Sequence, residues 1–330
     1  MCNMRTPDRV CAIDAQVVSS DQLCLDHVAI ELVLQTFPHS NPGQFVQMQC
    51  SNEDVVTARE LEWPADGFPS LTGSALAVQA FLRRPFSIAD RWDDGDGHAH
   101  VLIISRSIGT GTRWLEGLQP GDRISITGPL GRGFALPEQP RPVLLVGGGV
   151  GIPPLLYLAR RLAEQGQQNV TAVLGATTGD LLPLRMVATP DRDGRPSRCV
   201  AWPGAAPFPA IVTTDDGSVG LPGRVTAGVE SWYRGAGAAA CQNAIVYACG
   251  PEPMLQAVAQ QTRKLGLTCQ LCIERRMGCG LGTCLSCVVR RREPGAARGW
   301  SWALACQDGP VFDRDLLPDY DDRIVATQAE

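Results

Sequence analysis

Three cysteines within nine residues, followed by a fourth, restrict this chain more than any other feature. The stretch M-G-C-G-L-G-T-C-L-S-C (277–287) has the spacing C-x4-C-x2-C, and Cys306 follows in A-L-A-C-Q-D-G-P after eighteen intervening residues. This matches the first three ligands of a plant-type [2Fe–2S] centre with a variable gap to the fourth. A structural zinc site usually has two short C-x2-C pairs, or a pair with histidines, and only one such pair occurs here with no histidine nearby. Glycines at 278, 280 and 282 let such a loop wrap a cluster with N–H groups aimed at sulfur, which tunes its potential. The spacing therefore favours an iron–sulfur centre on Cys279, Cys284, Cys287 and Cys306. Zinc and four unrelated thiols are the competing readings.

The rest of the composition says where such a centre would operate. The chain has 330 residues, more than one core usually accommodates, so two or three domains are expected. Thirteen cysteines without a basic, apolar leader fit a cytoplasmic protein with metal or redox chemistry rather than a disulfide framework. The other nine, Cys2, Cys11, Cys24, Cys50, Cys199, Cys241, Cys249, Cys269 and Cys272, are expected mostly as small buried hydrophobes. A net charge of −5 argues against nucleic acid as a partner. The most apolar stretch, 142–159, is interrupted by glycines and prolines, which argues against a membrane span.

Along the chain, short alternating runs over 10–60 and again at 81–88, 100–104 and 123–127 predict antiparallel strands of a sheet or barrel. A short helix is predicted near Thr112. Residues 51–76 read as an irregular insertion, and 130–142 as the first boundary. From Val143 the pattern becomes strand, glycine loop, helix, strand, which predicts a parallel α/β sheet. Residues 185–209 and 231–242 read as Gly/Pro/Ala-rich connections, and the composition after Gly266 marks a third small unit. The fold class expected is a multidomain protein: an antiparallel β-barrel over 1–139, a Rossmann-like α/β domain over 140–265 and a small cluster domain over 266–330.

Within that frame, G-G-G-V-G-I-P-P (147–154) lies between a strand and a helix, where glycines and a helix N-terminus can receive a phosphate. A tight turn packing helix on sheet is the competing reading. V-Y-A-C-G-P-E-P-M (246–254) ends a later strand, where open α/β sheets bind ligands. L-R-R-P-F-S-I (82–88) and I-G-T-G-T-R-W-L (108–115) combine a cation, hydroxyls and a helix start, as a pyrophosphate-bearing flavin requires. Asp215-Asp216-Gly217 reads as a turn. Arg290-Arg291-Arg292 reads as a solvated basic turn rather than a partner's rim, and the four histidines are given no role. No acid/base constellation for a carbon substrate stands out, so no catalytic residue is assigned.

Taken in order, P-G-Q-F-V (42–46), R-R-P-F-S-I (83–88), G-T-G-T (109–112), G-P-L-G-R-G-F (128–134), L-L-V-G-G-G-V-G-I-P-P (144–154), T-T-D-D-G-S-V-G (213–220), Y-A-C-G-P-E-P-M-L (247–255), E-R-R-M-G-C-G-L-G-T-C-L-S-C (274–287) and C-Q-D-G-P-V-F-D (306–313) resemble the electron-transfer subunits of NAD-dependent dihydroorotate dehydrogenase, a branch of the ferredoxin-reductase superfamily. The resemblance implies FAD lined by Arg84, Pro85, Phe86 and Ser87, its nucleotide part bordered by Ile104, Ser105 and Arg106, and its pyrophosphate by Gly111 and Thr112. It implies NAD(H) at Gly147, Gly148, Gly149, Gly151, Cys249, Gly250 and Pro251, and a [2Fe–2S] cluster on the four motif cysteines. The implied partner is an FMN-containing dihydroorotate dehydrogenase catalytic subunit, in a heterotetramer serving pyrimidine biosynthesis. Similar subunits serve ferredoxin:NAD(P) oxidoreductases, sulfide dehydrogenases and hydrogenases, and a zinc-stabilised regulatory protein is the non-enzymatic alternative. This chain departs from the family pattern at Ser105, usually aromatic, and at Phe86, usually small and aliphatic. An arginine often present after the second α/β strand is missing from G-A-T-T-G-D (175–180), leaving the choice between NADH and NADPH open.

Overall fold

The structure, a computed structural model, describes residues 12–51, 82–201 and 207–321; the 51–76 insertion falls, apart from Ser51, outside the described residues. Six strands close into an antiparallel barrel: β1 (Ala12–Cys24), β2 (His27–Leu34), β3 (Phe45–Met48), β4 (Arg84–Asp93), β5 (Ala99–Arg106) and, after helix α1 (Thr110–Glu116), β6 (Arg123–Leu130). Their order around the barrel is β1-β2-β5-β4-β3-β6. The two-residue period of the sequence carries the arrangement. Ile30, Leu32 and Leu34 of β2, Val46 and Met48 of β3 and Ile124 and Ile126 of β6 all turn into one buried interior.

The second unit begins after the Pro/Gly-rich connection with β7 (Val143–Gly148), α2 (Ile152–Glu164), β8 (Val170–Ala176), β9 (Arg185–Met186), β10 (Ser197–Ala201), β11 (Phe208–Thr214), β12 (Leu221–Pro222), α3 (Val225–Ala236), α4 (Ala238–Cys241), β13 (Ile245–Cys249), α5 (Glu252–Lys264) and β14 (Thr268–Cys272). Strands β14-β13-β7-β8-β11 run parallel, as the strand–helix alternation predicts. Both faces are covered, so the strands read as continuous apolar runs. Leu144 and Val146 pack under α3 and α5, whereas Val143 and Leu145 pack under α2.

Three expectations change here. The segment 231–242 is largely helical, and 185–209 contributes β9, β10 and the start of β11. Glycine disguised α3: Val225, Val229 and Trp232 have helical spacing and are buried, but Gly228 interrupts them. That glycine is there for space, since a Cβ on it would lie 2.5 Å from Val173 Cγ1. The sheet also continues past Gly266 through β14. The chain then makes the cysteine loop and the hairpin β15 (Val288–Arg292) and β16 (Trp300–Leu304), and returns as β17 (Val311–Asp313) antiparallel to β14. Finally, Arg290–Arg292 form strand β15 rather than a solvated turn. Arg290 pairs with Asp319, and Arg292 with Asp321 at 2.6 Å, fastening the hairpin to the C-terminal segment.

Helix α2 also joins the sheet to the barrel. Tyr157 donates its hydroxyl to the Ser40 carbonyl at 2.7 Å, and Arg160 Nε bonds both Asp90 carboxylate oxygens at 3.0 and 3.1 Å. Asp90 is 5% exposed on β4, and the Arg160 side chain is 21% exposed. Breaking a fully buried pair costs ~3–5 kcal/mol; with Arg160 partly hydrated, Asp90→Ala should cost about 2–3 kcal/mol. Urea unfolding of Asp90→Ala, Arg160→Ala and the double variant checks this, because a true pair gives single losses that do not add.

Candidate functional site

The cysteine loop is shaped by two glycines in left-handed conformations, Gly280 at φ +72 and Gly282 at φ +84. They reverse the chain so that Cys279 and Cys284 touch. The Cys279 N–H donates to Cys284 Sγ at 3.4 Å, and the N–H groups of Leu281 (3.3 Å) and Cys284 (3.4 Å) donate to Cys279 Sγ. Cys287 and Cys306 form a second contacting pair, each 2% exposed, and the Gly282 N–H faces Cys306. Hydrogen bonds from Ser286, first its hydroxyl and then its N–H, together with the Cys279 N–H hold the Cys284 thiol down at about 6. Burial, then the neighbouring Cys287 sulfur, pushes Cys306 up to about 12.

Among the described residues, no group of three or more His, Cys, Asp or Glu is drawn together as a single-ion site. The pairing of Cys279 with Cys284 and of Cys287 with Cys306 would give each iron of a two-iron cluster two thiolates. N–H groups aimed at three of the four sulfurs provide the surroundings an anionic cluster needs. The residues present therefore fit a [2Fe–2S] cluster. Ser286 Oγ, 3.1 Å from Cys284 Sγ and accepting from the Gly278 N–H at 3.0 Å, belongs to that shell. Ser286→Ala removes a hydrogen bond that favours the more negative, reduced form. The cluster potential in an anaerobic redox titration should then move lower, with iron content unchanged.

The glycine loop after β7 lies against the turn after β13. A Cβ on Gly151 would be 2.3 Å from the Cys249 carbonyl oxygen, and one on Gly148 would be 2.5 Å from Met254 Sδ. The two segments implied for the nicotinamide thus meet at the C-terminal ends of neighbouring strands, and Gly149, at φ +52, is open to solvent space. Pro153 and Pro154 occupy the first turn of α2 and have no N–H, so this helix end offers fewer donors than its position suggests. Cys249 is buried beside Cys272, whose hydrogen bond, with burial, raises the Cys249 thiol well above the ordinary range. Among the described cysteines outside the motif, all but the half-buried Cys24 are buried.

On the barrel, Phe45 faces Ser87 and Gln47 faces Pro85 across β3 and β4. Strand alternation puts these four on the outer face, while Phe86 turns inward to the barrel core. Only the backbone of Phe86 is available to a ligand on that face. Arg84 is exposed at the strand's start. The end of β5 touches the glycine loop: Ile104 packs in the core shared with Ile152 and Leu155, and Arg106 lies 3.9 Å from Asp26. Ser105 is 2% exposed, and its hydroxyl finds no partner among the described residues. Gly111 is buried in α1, and the Thr112 hydroxyl is occupied by the N–H groups of Ile108 (3.0 Å) and Gly109 (2.9 Å), which fixes the loop.

Residues 274–317 match the family described as the iron–sulfur cluster binding domain of dihydroorotate dehydrogenase B, and 145–260 match the oxidoreductase NAD-binding domain. The "Dihydroorotate dehydrogenase B (NAD(+)), electron transfer subunit" of Caldanaerobacter subterraneus subsp. tengcongensis is 33% identical over 86% of this chain and 92% of its own length. The chain belongs to the dihydroorotate dehydrogenase B electron transfer subunit family. The same-named protein of Shouchella clausii is 37% identical over 90% of this chain and 94% of its own, and that of Geobacillus thermodenitrificans 39% over 72% and 80%. In fold, the chain is similar to an NADH-dependent reduced ferredoxin-NADP oxidoreductase, at a TM-score of 0.67 and 22% identity over 96% of this chain and 98% of that one.

Three residues that this electron transfer subunit family member packs against or within the cysteine loop escaped sequence reasoning. Ser286 stands between two cysteines, where a hydroxyl could have been read as a donor to sulfur. Gln307, beside Cys306, donates from Nε2 to the Leu281 carbonyl at 2.8 Å and holds the loop's crown. Gln47 looked like an ordinary polar strand position. Its place in F-V-Q-M, on the same face as Phe45, was the available signal.

Proposed function

We propose that the chain passes electrons between NAD(H) and an FMN-containing dihydroorotate dehydrogenase subunit through bound FAD and a [2Fe–2S] cluster, serving pyrimidine biosynthesis. The observation that carries this is convergence. The glycine loop with the Cys249–Pro251 turn, the Pro85–Ser87 face and the cysteine loop all border the junction of barrel and sheet. The Cys272 thiol reaches the Gly43 carbonyl at 3.9 Å, and Arg275 of the cysteine segment pairs with Glu252 beside Pro251.

When bound, the flavin accepts a hydride and releases electrons singly, which a one-electron cluster can relay. The chain's own residues do the holding. Ser87 and Pro85, with the backbone of Phe86, line the flavin ring, and Arg84 neutralises phosphate. Ile104, Ser105 and Arg106 border the nucleotide end, and the N–H groups of Gly111 and Thr112 meet the pyrophosphate. Gly149, with open space around it, lets the nicotinamide nucleotide approach closely, and Cys249, Gly250 and Pro251 face its reacting end. Gly147, Gly148 and Gly151 hold the loop tight against α2, Met254 and the Cys249 turn. Cys279, Cys284, Cys287 and Cys306 ligate the irons. The described cysteines are all unpaired, as a cytoplasmic setting would keep them. No described helix is long and apolar enough to cross a membrane.

The test is an anaerobic absorption spectrum with flavin, iron, zinc and sulfide analysis, before and after NADH. Flavin bands with two irons and two sulfides per chain, bleached by NADH, are expected. NADH oxidation coupled to the FMN subunit should then appear only when both proteins are mixed. Purified protein without flavin would sink the proposal.

A further inference from the structure

Gln47 lies where the barrel meets the cysteine loop. It is 0% exposed, yet neither its Nε2 nor its Oε1 has a hydrogen-bond partner among the described residues. A primary amide carries two donors and two acceptor lone pairs, and native interiors rarely leave such a group wholly unpaired. Its backbone lies within the barrel, opposite Pro85 on β4 and Thr127 on β6. Its side chain is pressed against the loop. A Cβ on Gly280, the residue after Cys279, would lie 2.7 Å from both Cγ and Nε2 of Gln47. On the other side, Gln47 is the diagonal neighbour of Ser87 on the outer barrel face, since Ser87 pairs with Phe45 and Pro85 with Gln47.

We infer that Gln47 is a positioning residue between the two redox centres: its carboxamide donates toward the cluster's sulfur shell beside Gly280 and accepts from the flavin edge beside Ser87. This rests on the cofactor reading above. The glycine at 280 follows from it, because any side chain there would separate the amide from the loop. The same geometry accounts for a buried polar residue among apolar ones: in the loaded protein both ends of the amide are satisfied, and in the bare chain neither is.

Gln47→Met keeps the length and removes both polar atoms. Gln47→Glu keeps an acceptor, removes the donors and adds a charge. Both loaded variants and the wild type would be compared by anaerobic redox titration, by the EPR spectrum of the reduced cluster and by thermal unfolding with and without cofactors. The cluster potential should move lower in Gln47→Met and lower still in Gln47→Glu, with altered EPR g-values. The gain in melting temperature on loading should also shrink in Gln47→Met, while the cofactor-free variant melts no lower than cofactor-free wild type. An unchanged potential and EPR spectrum in both variants overturns the assignment and leaves Gln47 as packing. A wild type that purifies with neither flavin nor iron overturns instead the reading on which it rests.

Discussion

Cys284→Ser should abolish electron transfer to the FMN-containing partner while NADH still reduces the bound flavin. Cys284 is exposed at the surface of its loop, so the substitution removes a ligand without opening the core. Its sulfur is nonetheless central to the loop's bonding, receiving the Cys279 N–H at 3.4 Å and lying 3.1 Å from Ser286 Oγ. A serine oxygen is a harder, more basic ligand than a thiolate, and a cluster held by three cysteines is expected to be lost or strongly altered. The face of β3 and β4 proposed for the flavin lies across the Gln47 contact and keeps its own framework of cross-strand pairs. Stopped-flow reduction by NADH, followed by a coupled assay with the partner, separates the two steps. Wild-type coupled rates in a variant lacking its iron would remove the cluster from the electron path.

The second large effect is expected at Gly151, and it differs in kind from that of its neighbour Gly149. Gly151 has an ordinary φ of −80, so backbone freedom is not why it is glycine. The reason is space: its Cβ would come within 2.3 Å of the Cys249 oxygen, 2.4 Å of the Cys249 carbon and 2.5 Å of the Gly250 nitrogen. All three belong to backbone at the end of a central strand, which cannot rotate aside. Gly151→Ala must therefore push α2 away from β13, and a cost of about 1–3 kcal/mol is expected from overpacking alone. The displaced helix carries the glycine loop with it, so NADH should reduce the flavin much more slowly while flavin and cluster absorption persist. Gly149 is the control. It has φ +52 and nothing within 4 Å, so Gly149→Ala meets only backbone strain, about 1–2 kcal/mol, and should leave the helix where it is. Equal losses in NADH reduction for the two variants would contradict this distinction.

The contrast shows what a sequence discloses and what it conceals. The cysteine loop was legible because metal ligation imposes spacing, and spacing survives in one dimension. The barrel and the α/β sheet were legible because burial imposes period, two in β2 and β6, continuous apolar runs in β7 and β13. Helix α3 was hidden because Gly228 answers to Val173, a residue in another strand, and so looks like a breaker when read locally. The arginine triplet was misjudged for the same reason, since its carboxylate partners Asp319 and Asp321 lie far along the chain. Gln47 and Gln307 act across elements, and neither has a local signature. The glycine loop stood out as a motif, but which glycine serves conformation and which serves contact required the neighbouring strand.

The return of the chain through β17 has a mechanical consequence. The cysteine loop and the β15–β16 hairpin leave the sheet from β14 and re-enter it beside β14, so this lobe is clamped at both ends. Its own core is continuous with that of the sheet and the barrel: Cys287, Cys306, Val289 and Ala303 share one buried cluster with Leu144, Phe45 and Leu130. Such a lobe cannot swing on a tether to ferry charge between distant stations. It behaves as fixed wiring, set in one frame with the sheet and the barrel.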